Sequence, residues 1–298
     1  MTVRILQFGT TGQVAREMIR QAPAHDVALT ALSREDCDFE DPEKAARLVN
    51  HHHPDLVVIA AAYTAVDKAE EEPERVYEIN AETPGAIAGV CGLNGPAIVH
   101  FSTDYVFDGD KGFPYVEEDR PHPINVYGEM KLSGENNVLS ACPRALVLRT
   151  SWVVSSHGRN FVKTMLRLAG EGNPIRVVDD QFGRPTAAAD LAGFVLSQAS
   201  RLAAAKAGDP VFGLFHFAND GETSWKGFAE GIFAEALGER APKVEAIATA
   251  DRPAPARRPL RGTLDTGKLE RVFGVTPRPW RAALAEIVAD LKTEGAAA

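Results

Sequence analysis

Cysteine is scarce in this 298-residue chain: Cys37, Cys91 and Cys142 are odd in number, scattered, and without metal-ligand spacing. That argues against a disulfide framework and points to a reducing cytoplasm. Basic charge is in deficit too. Lys and Arg number 32 against 41 Asp and Glu, a formal net charge of -9, which argues against non-specific binding to nucleic acid or an anionic membrane. No apolar run approaches the roughly 20 residues of a membrane span, no charged-then-apolar leader opens the chain, and no internal repeat is visible. The composition, 45% hydrophobic and 24% charged, is that of a soluble globular protein. It has the length for one large domain, or a large domain with a small companion.

Residues 2–8 form a short apolar-rich run, followed by Gly9-Thr10-Thr11-Gly12-Gln13-Val14-Ala15 and a helical pattern at Val14, Met18 and Ile19. A strand, a Gly-rich turn and a helix make the phosphate-binding opening of a dinucleotide fold. Gly9 permits the tight turn, Gly12 lets backbone N–H groups approach a pyrophosphate, and Ala15 is small enough for the helix to pack on the strand. Further apolar runs at 27–32, 56–61, 97–101 and 145–148 read as buried parallel strands. Helical stretches near 42–51, 74–93 and 127–142 separate them. The expected fold class is α/β: a doubly wound Rossmann-type parallel sheet with a smaller α/β substrate-binding domain.

After residue 152 the pattern loosens. Helices are expected at 160–169, 187–205, 223–237 and 279–293, strands at 175–178 and 214–218, a turn at 181–186, and a frayed tail. The dinucleotide-binding domain then takes residues 1–152 plus about 187–219, and the second domain about 153–186 and 220–298.

Tyr127 and Lys131 stand one helical turn apart, a short way after Ser102-Thr103-Asp104-Tyr105. Residues at i and i+4 share a helix face, where an ammonium can lower a phenol's pKa from about 10 toward the range of a working acid. A hydroxyl from Thr103 can hold the oxygen that accepts the proton. This is equipment for reducing a carbonyl beside a bound hydride source. After the second expected strand the chain reads Ser33-Arg34, with no carboxylate until Glu35. A serine and an arginine there favour the 2′-phosphate of NADPH, with NADH left open. Asp38 and Phe39 are placed on the adenine side, and Ala62, Tyr63 and Thr64 along the nicotinamide ribose. His51-His52-His53 and Glu70-Glu71-Glu72 read as solvated helix ends, and Trp225 and Trp280 as packing residues.

In order along the chain stand Gly9-x-x-Gly12-Gln13, the run 60–70 (Ala-Ala-Ala-Tyr-Thr-Ala-Val-Asp-Lys-Ala-Glu), Asn80-Ala81, the run 102–109 (Ser-Thr-Asp-Tyr-Val-Phe-Asp-Gly), Tyr127 to Lys131, and Arg184-Pro185-Thr186. Over essentially its whole length the chain resembles the dTDP-4-dehydrorhamnose reductases, extended short-chain dehydrogenase/reductases of nucleotide-sugar metabolism. The resemblance implies reduction of the 4-keto group of a dTDP-linked sugar to give dTDP-L-rhamnose for surface polysaccharide. It makes Tyr127 the proton donor and Lys131 its support and a holder of the ribose. Thr103, Asp104, Trp152 and Arg184 then belong to the sugar-nucleotide site. Sister dehydratases carry Asp-Glu after the Thr; Tyr105 in place of the Glu speaks against dehydration.

Some members are dimers holding Mg²⁺ on carboxylates, and the matching positions are Glu17, Asp190 and Asp290. These are either such a set in a homodimer or three unrelated solvated carboxylates. Residues 258–265 depart from the family pattern at Arg261 and Gly262, leaving the base and the exact sugar open. The alternatives are a 4-ketoreductase for another nucleotide-linked deoxysugar, or a non-catalytic NADP-binding regulatory subunit, as this subfamily also contains.

Overall fold

The computed structural model describes residues 2–92 and 95–293. Its centre is a six-stranded, all-parallel sheet. Strands β1 (Val3–Phe8), β2 (Val27–Leu32), β3 (Leu56–Ile59), β4 (Ala97–Thr103) and β5 (Ala145–Thr150) are joined by Gly213–His216, in the order Gly213–His216, β5, β4, β3, β1, β2. The strand sequence reverses direction between β1 and β3. In a doubly wound sheet this switch point opens a crevice at the C-terminal strand ends, where ligands bind. All four residues of β3 are buried, as expected of a strand covered on both faces.

One face packs against Gln13–Gln21 and Ala188–Ala204 through Met18, Leu191, Val195 and Leu202. The other packs against Pro42–His52, Thr83–Cys91 and Val126–Ala141 through Val49, Ile87, Cys91 and Val138. A third core lies apart from the sheet. It joins Val162, Met165, Phe228, Phe233, Trp280 and Ile287 from the helices Phe161–Glu171, Trp225–Leu237 and Trp280–Thr293. The strands Ile175–Val178 and Val244–Ile247 pair in parallel there.

The single helix expected over 74–93 is three pieces: Pro73–Tyr77, a π-helical turn Glu78–Glu82, and Thr83–Cys91. Pro84 lacks an N–H and interrupts the ladder, and the wider turn presents Asn80 to the site. The expected end at Leu93 and the tail beyond Thr293 lie outside the described residues. The strand Val244–Ile247 and the helix Gly267–Phe273 were not expected. The helix is too short for periodicity to declare, and exposed Glu245 and Ala246 interrupt the apolar pattern of the strand.

Candidate active site

The turn after β1 is built on a left-handed glycine. Gly9 has φ 101°, and a Cβ there would sit 3.1 Å from the Ala61 nitrogen and 3.2 Å from the Ala60 carbonyl carbon. Only glycine meets both demands at low cost. Gln7, buried below the turn, donates to the Gly9 and Ala15 carbonyls at 2.8 and 3.1 Å. Gly12 caps the first helix without a side-chain acceptor, and Thr11 and Gly12 are exposed. That turn leaves open N–H groups of the kind that hold an anion at a helix N-terminus. Val14 packs into the core below. Gln13 reaches outward, donating to the Val153 carbonyl at 3.0 Å and accepting from Ser155 and Asn160 at 3.0 and 2.9 Å.

Tyr63, on the loop after β3, is clamped by Asn80. The amide oxygen accepts from the Tyr63 N–H at 2.9 Å, and the amide nitrogen donates to its carbonyl at 3.0 Å. The Tyr63 hydroxyl donates to Glu72 at 3.0 Å, so Glu72 is more than a solvated helix end. Ala62 and Thr64 flank this clamp and are exposed.

At the end of β4, Thr103 donates to Asp104 Oδ1 at 3.1 Å and accepts from the Tyr105 N–H at 3.1 Å. Burial pushes the Asp104 carboxyl up to about 7. Its Oδ2 lies where a Cβ on Gly262 would be 2.5 Å away, so the departure at position 262 leaves room for this carboxylate. Tyr127 is half-buried on the first turn of Val126–Ala141, its ring edge-on to Tyr105 at 5.9 Å. Asn125 caps that helix, accepting from the Gly128 N–H at 2.8 Å, and a Cβ on Gly128 would strike the Tyr105 carbonyl at 2.1 Å. That close approach brings Tyr127 to Thr103 and Asp104.

The expectation that Lys131 lowers the Tyr127 pKa is not met. Burial, then the Asp104 charge, push the phenol up to about 12. The Lys131 ammonium instead donates to the Phe101 carbonyl at 2.6 Å, and burial brings it down to about 8. A phenol at 12 stays protonated at neutral pH, as a proton donor must.

At the end of β2, Ser33 bonds Asp36 through its hydroxyl at 2.7 Å. Arg34, largely exposed, pairs with Asp38 at 3.4 Å and Glu40 at 3.1 Å. Phe39 is buried against Phe8, ring centroids 5.6 Å apart. Trp152 is held at φ 46° and stacks on Trp225 at 3.6 Å, with Gly183 against its indole. Arg184 is mostly buried, its Nε without a hydrogen-bond partner among the described residues and its Nη2 3.9 Å from Asp220. The loop carrying Arg258 is tied down beside them. Its guanidinium makes two 2.9 Å bonds to Asp67, and Asn125 donates to the Arg257 carbonyl at 2.8 Å.

The carboxylate set considered for Mg²⁺ does not converge. Glu17 accepts from Arg20 and Gln21, Asp190 pairs with Arg278 at 2.8 Å, and Asp290 is exposed. Among the described residues no group of three or more His, Cys, Asp or Glu side chains forms a metal site. A carboxylate neutralised by its own arginine is a poor ligand for a hard cation. Asn80, Glu135, Arg149 and Arg258 were absent from the expected site. Buried polar residues inside an apolar helix or strand pattern were the signal for the first three.

The family described as the RmlD substrate binding domain matches residues 3–293. The chain belongs to that family. It is 42% identical to a dTDP-4-dehydrorhamnose reductase of Sinorhizobium fredii, over 98% of this chain and 99% of that one. Identity to the Escherichia coli K12 protein of the same name is also 42%, with the same coverage. Among solved structures, a dTDP-4-dehydrorhamnose reductase from Clostridium acetobutylicum superposes with TM-score 0.90 at 36% identity, covering 97% of this chain and 99% of that one. One from Bacillus anthracis in complex with NADP gives 0.89 at 32%, covering 97% and 100%. No helix among the described residues of this RmlD-family chain is long and apolar enough to cross a membrane.

Proposed function

We propose that this chain reduces the 4-keto group of dTDP-4-dehydro-L-rhamnose to dTDP-L-rhamnose with NADPH. The observation that carries the reading is the gathering of Thr103, Asp104 and Tyr127 at the C-terminal end of β4, on the same sheet edge as the Gly9–Gly12 turn. Full-length similarity to reductases of that name, and to one solved with NADP, supports the cofactor and the substrate.

The residues fit a dinucleotide. The Gly9 cradle and the open N–H groups after it suit the pyrophosphate, Ser33 and Arg34 the adenosine ribose phosphate, and Tyr63 and Lys131 the nicotinamide end. When bound, the reduced nicotinamide supplies a hydride to the sugar's C4. Thr103 orients the ketone oxygen through its hydroxyl. Tyr127 transfers its phenolic proton to that oxygen as negative charge develops there, and the Lys131 ammonium holds the nicotinamide ribose. Trp152 and Arg184 border the space for the sugar nucleotide. A second acid beside Thr103, which a dehydratase needs, is replaced by Tyr105.

The test is loss of reduced-nicotinamide absorbance with dTDP-4-dehydro-L-rhamnose generated in situ, with the product identified by chromatography. Turnover to dTDP-L-rhamnose is expected. NADPH binding without turnover of this sugar would overturn the substrate assignment.

A further inference from the structure

His100 is 1% exposed on β4, three residues before Thr103. Successive strand residues point to opposite faces, so His100 and Ser102 share one face. That face meets the helix Val126–Ala141, where Lys131 and Glu135 stand one turn apart. The four side chains pair in register: Ser102 donates to Glu135 at 2.5 Å, and the Lys131 Nζ lies 3.3 Å from His100 Nε2.

Glu135 is the partner a helix would ordinarily give Lys131, being four residues on. Its carboxylate is already taken. Arg149 donates to both oxygens, at 2.8 and 2.7 Å, and Ser102 to one of them. The Lys131 ammonium has three N–H donors. Phe101 accepts one, the imidazole lone pair faces a second, and one is left for the cleft. An imidazole accepting at Nε2 carries its proton on Nδ1. That Nδ1 is buried and has no hydrogen-bond partner among the described residues. A buried donor left unpaired is destabilising, because it has lost its water and gained nothing in return. A phenylalanine would fill the space without that cost, so packing alone does not account for a histidine here.

We propose that His100 is a positioning residue for Lys131. Its Nε2 and the Phe101 carbonyl together fix the ammonium beneath the cleft, with one donor directed at the cofactor ribose. The assignment rests on the reductase reading above, and it adds a residue that never touches substrate or cofactor.

The experiment compares wild type, His100→Phe and His100→Gln for kcat, for the KM and Kd of NADPH, and for thermal unfolding. Gln reaches the Nε2 position with an amide oxygen that can accept from Lys131. The expected result is His100→Phe unfolding at or above the wild-type temperature, with kcat about tenfold or more lower and NADPH several-fold weaker, since small misplacements near the chemistry have such effects. His100→Gln should return both to within about threefold of wild type. Wild-type kcat and KM in His100→Phe would overturn the proposal. So would His100→Gln no better than His100→Phe, which is the result of a packing role. If His100→Phe does not fold, His100→Met takes its place with the same outcomes. A wild-type protein that binds NADPH but does not reduce the sugar would sink the reductase reading instead. NADPH affinity alone would then decide on His100: weakened in His100→Phe and restored in His100→Gln supports it, unchanged in both overturns it.

Discussion

Glu135 and Arg149 face each other in the interior, each side chain 2% exposed, joined by two hydrogen bonds of 2.8 and 2.7 Å. Two charges so deeply buried are tolerated only when paired, and here Arg149 Nη1 alone has no hydrogen-bond partner among the described residues. Glu135→Ala leaves the guanidinium uncompensated and should destabilise the fold by about 3–5 kcal/mol, read by urea unfolding at neutral pH. Replacing both partners by apolar residues of similar volume should restore most of that loss. Near-wild-type stability of Glu135→Ala would show that the pair is dispensable.

Tyr127→Phe keeps the ring and removes the only proton that the phenol can give. The expected effect is a fall in kcat of about a hundredfold or more, with NADPH affinity nearly unchanged. Rates within a few-fold of wild type would assign the proton to another group, with Asp104 the first to examine.

The Lys131 ammonium, brought down by burial to about 8, sets an alkaline limit. Below that value it is charged; above it the ammonium loses its proton and its hold on the ribose. In the free protein kcat/KM should therefore decline as pH rises through about 8. Tyr127 at about 12 contributes nothing in that range. A flat profile to pH 10 would mean that the charge on Lys131 is not required.

Asp104 links stability to pH in a definite direction. Burial raises its carboxyl from 3.8 to about 7, so the native state holds a proton that the unfolded state releases. The stability from that proton is fully present below about pH 4 and is lost as pH rises through about 7. Asp104→Asn should remove this dependence and make the protein more stable at pH 8 by on the order of 2–4 kcal/mol. Parallel stability–pH curves for wild type and variant would contradict the assignment.

Arg34 reaches a 2′-phosphate only by giving up Asp38 and Glu40, which hold it in the free protein. Both pairs are exposed and weak, so a dianionic phosphate should win. Arg34→Ala is expected to weaken NADPH about tenfold or more while leaving NADH within about twofold. Equal losses for the two cofactors would remove Arg34 from the phosphate site.

The sheet was legible because its strands are apolar-rich runs and its turns carry glycine where φ must be positive, as at Gly9. The residues proposed for catalysis were read from a spacing plus a neighbouring run, Tyr127 with Lys131 and Ser102 to Gly109, and Thr103 and Tyr127 do come together in the fold. What the sequence withheld was electrostatic environment. Spacing puts Lys131 on the Tyr127 side of the helix, but the choice of the Phe101 carbonyl and His100 over the phenol depends on β4, which packs there only in three dimensions. The partner of Asp190 was hidden for a like reason: nothing local reveals that Arg278, 88 residues further on, pairs with it. Val244–Ile247 escaped notice because Glu245 and Ala246, both exposed, interrupt its apolar pattern, whereas Ile175–Val178, of the same length, keeps three buried β-branched residues.

Gln13 begins the first helix at the phosphate-binding turn, yet its amide is spent on Val153, Ser155 and Asn160 at the head of the third core. One side chain thereby bridges the two ends of the cleft. Any coupling it carries is reciprocal: whatever factor a bound dinucleotide adds to the affinity for the sugar nucleotide, the sugar nucleotide must return to the dinucleotide. The order in which the two ligands arrive then leaves the free energy of the ternary complex unchanged, and only the rates tell the routes apart.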